Sequence, residues 1–268
     1  EIELALIKLY RLLGRKSDLA LARYFVDERG RKPHYFDIEA RKRGEELKPD
    51  RGYDVLQAHM PVRRQKEATG HAVRAAYLYS AMADLVAETG DRSLWQACRR
   101  LWKSIVRGRL YIHGGIGSSR FNERFTFDHD LPNEEAYAET CANIALVFFA
   151  HRMLRLDPDR QYADVMERAL YNGVVSGVSL DGQRFFYDNW LAVVPEAHHF
   201  NKQKKPVRQE WFGCACCPPN IARVLGSIGQ YVYSSGRTGI WTHLYAQGTA
   251  EIECAGIRVR LAQRTAYP

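Results

Sequence analysis

Apolar residues recur along this chain at the spacing of an α-helix, and the helices they predict come in pairs. Residues 2–13 and 19–26 make the first pair, closed at Gly14 and Gly30, since glycine readily takes the left-handed turn that ends a helix. Residues 71–88 and 93–107 make the second, joined at Thr89-Gly90, and residues 135–156 and 161–175 the third, parted by the turn sequence Asp157-Pro158-Asp159. Helical hairpins in succession predict a mainly α fold. An inner ring of helices packs against an outer ring as an (α/α) barrel, with functional loops at one open end.

The pattern changes after Gly182. RFFYDNWLAVV reads as a strand, residues 221–233 as a further helix, and GIWTHLYAQGTAEIECAGIRVRLAQ alternates with period two around Gly248 and Gly256, as hairpins do. The expected division is a helical domain over 1–236 and the start of a β domain over 237–268. The chain opens directly on helical periodicity, without an initiator Met or signal-peptide zones, and stops soon after strand alternation begins. A piece of a longer protein is therefore expected, with its N-terminal part missing.

With 268 residues, 46% of them hydrophobic, the chain can bury a large core. Its longest apolar run, 144–150, has seven residues, whereas a membrane-spanning helix needs roughly 20. The net charge of +8 raises the question of polyanions, but RKPHYFDIEARKRGEELK mixes both signs and NKQKKPVRQ is short. Both read as solvated faces, and neither nucleic acid nor a membrane is expected as a partner.

Six cysteines are too few for a disulfide scaffold, and Cys214, Cys216 and Cys217 crowd together. Adjacent cysteines close a strained ring, so metal binding or nucleophilic chemistry is the better reading, in a reducing, cytoplasmic compartment. YIHGGIGSSRFNERFTFDHDLPNEEAYAETCA adds Glu123, Asp128, His129, Asp130, Glu134, Glu135, Glu139 and Cys141. Zinc favours thiolates with a carboxylate or imidazole, a set that Glu139, Cys141, Cys216 and Cys217 supply. Residues i and i+2 point apart on a helix, so Glu139 and Cys141 must sit at a helix start or in a turn. Pro218-Pro219 biases Cys217 away from helix. A purely structural zinc and inert buried thiols are the plain alternatives. Cys214 is read as a spectator, Cys98 and Cys254 as core thiols, and His198 and His199 as substitute ligands. HGGIGS lacks the lysine ending of a phosphate loop and reads as a tight connection placing Glu123.

GHAVRAAYLYSAMADL, YIHGGIGSSRFNERF, DLPNEEAYAETCA, YADVMERALYNG and CCPPNIARVLGS together resemble the family 127 glycoside hydrolases, whose best-known activity is β-L-arabinofuranosidase. The resemblance runs over about residues 57–245. It implies an (α/α)6 barrel, incomplete here, followed by a β-sandwich, and a Zn2+ held by Glu139, Cys141, Cys216 and Cys217. It further implies a retaining reaction with Cys216 as nucleophile and Glu123 as acid/base. His71, Glu167 and Tyr187 are the substrate contacts it implies; by residue type alone Glu167 reads as surface and Tyr187 as core. The expected partner is an oligosaccharide or glycoconjugate, and two copies are expected to pair as a homodimer. A zinc hydrolase using metal-bound water and a sugar-binding toroid with a structural zinc are the competing readings.

Overall fold

In the computed structural model, residues 2–46, 52–194, 196 and 207–267 are described. Helices α1 (Ile2–Leu13) and α2 (Lys16–Glu28) form a hairpin, and a short helix α3 (Tyr35–Lys42) follows. Next come α4 (Ala72–Thr89), α5 (Arg92–Gly108), α6 (Thr140–Leu156) and α7 (Arg160–Gly173), then α8 (Cys217–Gly226) and the single turn α9 (Gly229–Val232). None of these helices is long and apolar enough to cross a membrane.

The apolar pattern sorts the helices into two layers. Between 72 and 86, α4 is buried at every position except Arg74, and α6 is buried throughout 140–150, as helices apolar on all sides must be. They pack against each other. By contrast α5 buries one stripe, Leu94, Ala97, Cys98, Leu101, Trp102 and Ile105, and α7 buries Tyr162, Val165, Met166, Ala169 and Leu170. These amphipathic helices cover the two central ones. Trp102 joins the layers, its ring 5.6 Å from Phe149 of α6 and 4.9 Å from Tyr162 of α7. The inner layer is also tied by charge: buried Asp84 of α4 accepts from Arg11 of α1 at 3.0 Å and from Arg152 of α6 at 2.6 Å.

Two antiparallel hairpins close the described chain. Strand β1 (Tyr233–Gly236) pairs with β2 (Gly239–Thr242), and β3 (Gly248–Cys254) with β4 (Ile257–Gln263). In the second, Glu251 faces Arg260 and Glu253 faces Arg258, favourable cross-strand charge pairs. Residue 236, the expected domain border, is the last of β1.

Several expectations need correction. The helix expected from 135 begins only at Thr140, because the N–H groups of Tyr137 and Ala138 donate to the carbonyls of Ser118 and Gly117. Residues 184–194 form no named strand; Phe185 makes isolated bridges to Val178 and Gln209, while the Tyr187 carbonyl accepts from Thr140 N. The helix expected over 221–233 starts earlier, at Cys217, and breaks before α9. Pro218 and Pro219 fall in its first turn, where a missing N–H costs no hydrogen bond. Short α3, within the stretch read as a solvated face, was not expected as a helix. Cys98 is a core thiol, but Cys254 is half-buried, its Sγ 3.2 Å from the Gly236 carbonyl between the hairpins.

Asp91 shows how an α5 boundary is fixed. Its carboxylate caps the helix by accepting from Leu94 N at 3.0 Å and takes further bonds from Ser93 and Arg63. Burial alone would raise this carboxyl, but those three donors outweigh it and hold it well below the ordinary range. Asp91→Ala is expected to lower stability by about 1 kcal/mol at neutral pH. The folded pKa lies below the unfolded value of about 3.9, so the stabilisation is complete above that value and is lost as pH falls through the folded one. Chemical denaturation at pH 7 and pH 3 checks this; an equal gap between wild type and variant at both would contradict it.

Candidate active site and metal centre

Three helices of the chain begin at one place. His71 is the N-cap of α4, Glu139 of α6 and Cys216 of α8, so the positive ends of three helix dipoles favour anions there. Glu139 and Cys141 occupy the N-cap and second position of α6, the helix start that their i, i+2 spacing requires. Ala138 before them has a φ of 36°, which turns the chain sharply into the helix.

Segment 113–118 holds this start in place. Gly117 has a φ of 83° and approaches so closely that a Cβ there would lie 2.8 Å from that of Ala72, in the first turn of α4. A Cβ on Gly114 would sit 2.7 Å from the backbone nitrogen of Ala169 in α7. HGGIGS is thus the tight connection read from the sequence. It leads to a 3-10 turn, Phe121–Glu123, in which Asn122 and Glu123 take φ values of 55° and 51°, uncommon for residues other than glycine. Phe125 N donates to the Gly70 carbonyl, pinning this turn beside His71.

The Glu123 carboxylate is held from three sides. His71 Nε2 lies 2.8 Å from Oε2, the Tyr137 hydroxyl donates to Oε1 at 2.7 Å, and the Tyr187 hydroxyl does so at 3.3 Å. The Tyr187 oxygen also lies 3.4 Å from Cys216 Sγ, which is itself 3.4 Å from Glu139 Oε1. Burial, then neighbouring carboxylates, pushes both tyrosines upward, so they remain protonated donors.

Behind Cys216 the donors close into a cluster. Cys216 Sγ and Cys217 Sγ are 3.7 Å apart, Cys141 Sγ and Cys217 Sγ 3.6 Å, and one donor atom from each of Glu139, Cys141, Cys216 and Cys217 lies within 4.8 Å of the others. A disulfide would need about 2.05 Å. Tetrahedral zinc with sulfurs at about 2.3 Å would place its sulfurs about 3.8 Å apart, and a carboxylate oxygen about 3.6 Å from each. The two sulfur–sulfur separations, and the 3.4 Å from Cys216 Sγ to Glu139 Oε1, lie close to those lengths, and the buried Glu139 Oε2 has no hydrogen-bond partner among the described residues. Its residues therefore fit a thiolate-rich metal site. Without a cation, burial and then the charges of Glu123 and Cys216 drive the Glu139 carboxyl up. Hydrogen bonding among the thiols drives Cys141 and Cys217 up, and Cys216, receiving bonds from both, down.

His71, Glu123, Glu139, Cys141, Tyr187 and Cys216 line a cavity of about 670 Å3. Cys214 also lines it and is exposed. The structure does not bring Glu167 to this cavity: it lies half-buried on α7, outside the buried stripe of that helix. His198 and His199 lie outside the described residues, as do 201–206 of the basic stretch. Two neighbours were not foreseen. Tyr137 stands two residues before Glu139, and Asn220, at the end of CCPPN, donates from Nδ2 to Cys141 Sγ at 3.0 Å.

Residues 1–230 match the family profile described as Beta-L-arabinofuranosidase, GH127 catalytic domain. Over 280 aligned positions, covering all of this chain and 42% of the relative, the sequence is 41% identical to a non-reducing end beta-L-arabinofuranosidase of Bifidobacterium longum subsp. longum. The fold superposes on the crystal structure of Ara127N-Se, a GH127 beta-L-arabinofuranosidase from Geobacillus stearothermophilus T6, with a TM-score of 0.96 and 55% identity. That match covers 100% of this chain and 43% of the other. A second GH127 structure, a beta-arabinofuranosidase, gives a TM-score of 0.85 and 42% identity, covering 100% of this chain and 38% of that one. The chain spans less than half the length of these relatives. Helix starts, cysteine cluster and matched length converge, and the chain belongs to the GH127 β-L-arabinofuranosidase catalytic-domain family.

Proposed function

We propose that this chain carries the catalytic centre of a retaining glycoside hydrolase that releases L-arabinofuranose or a related pentose. The observation that carries the reading is the Tyr187 hydroxyl in contact with both Glu123 Oε1 and Cys216 Sγ. An acid/base and a sulfur nucleophile thereby face one cavity from either side of a single oxygen. In this reading the two layers of helices are part of an (α/α)6 barrel, and the hairpins from β1 onward begin a β-sandwich.

In the first step the Cys216 sulfur attacks the anomeric carbon, forming a carbon–sulfur bond as the glycosidic carbon–oxygen bond breaks. Glu123 gives its proton to the departing oxygen. In the second step Glu123 takes a proton from water, whose oxygen displaces sulfur and frees the sugar. Two displacements return the original anomeric configuration, with a thiolate standing where most retaining enzymes place a second carboxylate. His71 and Tyr137 hold the two Glu123 oxygens so that the carboxyl faces the cavity. Glu139, Cys141, Cys216 and Cys217 would hold zinc, which when bound keeps the sulfurs deprotonated at neutral pH.

Four protein donors leave no open position for a metal-activated water, which weighs against the zinc-hydrolase reading. A sugar-binding toroid with a purely structural zinc would have no use for a half-buried ligand, and Cys216 opens onto the cavity.

Three measurements test the reading. Cys216→Ser is expected to reduce turnover of an aryl β-L-arabinofuranoside by roughly a thousandfold or more, with unchanged circular dichroism; near-normal turnover would sink the nucleophile assignment. Glu123→Ala is expected to lose roughly 100- to 10,000-fold on natural glycosides and much less on substrates with activated leaving groups, which need little protonation. Equal losses on both classes would remove Glu123 as the acid. Elemental analysis should find about one zinc per chain in the wild type and little in Cys141→Ala; full occupancy in that variant would count against the four-ligand site.

A further inference from the structure

We propose that Asn220 is a positioning residue for the metal centre, donating a fixed N–H to the Cys141 sulfur and itself locked by Tyr77 and Arg223. The inference rests on the zinc reading of the cluster and adds a second layer to it.

Asn220 sits in α8, three residues after Cys217, about one helical turn along, so its side chain returns to the helix start where the sulfurs gather. Its Nδ2 lies 3.0 Å from Cys141 Sγ. The amide orientation follows from its other contacts. Asn220 Oδ1 accepts from the Tyr77 hydroxyl at 3.0 Å and from the Arg223 guanidinium, and a guanidinium has donors only. The oxygen must therefore face Arg223, which leaves the NH2 group to face sulfur. Arg223 also donates to the Tyr77 oxygen, closing a triangle of three side chains. Its guanidinium is in turn stacked, 5.3 Å from the centre of the Tyr77 ring and 4.9 Å from that of Phe148. α4, α6 and α8 thus all contribute to aiming one N–H at one sulfur.

The chemistry gives that N–H a purpose. Three thiolates and a carboxylate around a divalent cation leave a net charge of −2 in a largely buried corner. A hydrogen bond to a thiolate ligand draws charge from the sulfur and fixes its direction, as outer partners of metal ligands do. Arg223, one contact further out, adds a positive charge on the same side. Cys216 has the Tyr187 hydroxyl in the corresponding place, but on the cavity side. The two flanking sulfurs therefore have different neighbours, a fixed amide donor at Cys141 and a hydroxyl oxygen beside the substrate space at Cys216.

The test uses the protein loaded with Co2+ in place of zinc, read by its thiolate-to-metal charge-transfer absorption, together with zinc retention against a chelator. Asn220→Asp keeps the shape and replaces the donor with a negative oxygen. It is expected to weaken metal retention by roughly tenfold or more and to shift the charge-transfer band. Arg223→Met frees the amide to turn and should move both readouts in the same direction by less; it decides the matter if Asn220→Asp does not fold. Wild-type retention and spectrum in the folded variants overturn the role of Asn220 while leaving the metal site standing. A wild-type chain that binds neither Co2+ nor zinc overturns the metal reading itself, and this inference with it.

Discussion

Three sulfurs and a carboxylate share a corner with little access to water, and each is a potential anion. Gathering such groups in a low-dielectric interior costs several kcal/mol per charge unless positive charge meets them. The fold brings the starts of α4, α6 and α8 together there, so that the positive ends of three helix dipoles lie at this corner. Three thiols and a carboxylate at these spacings suit a thiolate-rich metal site.

The layered packing makes this point rigid. Two helices buried on almost all sides form the inner layer, and the stripes of α5 and α7 cover them, with Trp102 wedged between Phe149 and Tyr162. Groups on helix ends backed by such packing are held more firmly than groups on free loops. Glu123 is the exception, since it comes from a turn, and it receives correspondingly more local restraint. The close approach of Gly117 to Ala72, the bond from Phe125 to Gly70 and three side-chain donors together fix it.

What could be read from the sequence follows from where each signal is stored. Long helices were legible because periodic burial is written in neighbouring residues, as in 2–13, 71–88 and 93–107. The lead-in to α6 was misread because residues 137 and 138 spend their N–H groups on the carbonyls of 118 and 117, partners that no local pattern displays. The stretch 184–194 has strand composition, yet its backbone is claimed by the head of α6. The four donors of the cluster were legible from residue type and the rarity of adjacent cysteines. Their surroundings were not: Tyr187 reaches Glu123 across 64 positions and Asn220 reaches Cys141 across 79. Glu167 as a substrate contact came only from likeness to a family motif; by residue type it reads as surface, and it lies on α7 away from the cavity.

The ion pairs at Asp84 bear on the far end of α4 through leverage. Asp84 anchors α4 to α1 and α6 near one end, whereas His71 caps the other end against Glu123. Twelve residues of helix between Ala72 and Asp84 make an arm of about 18 Å, so a tilt of about 3° at the anchor swings the cap by about 1 Å. A displacement of about 1 Å at a reacting group can cost on the order of a hundredfold in rate. The far end of the helix is therefore a fulcrum, and the place of the His71 cap beside Glu123 depends partly on two arginines bound to Asp84.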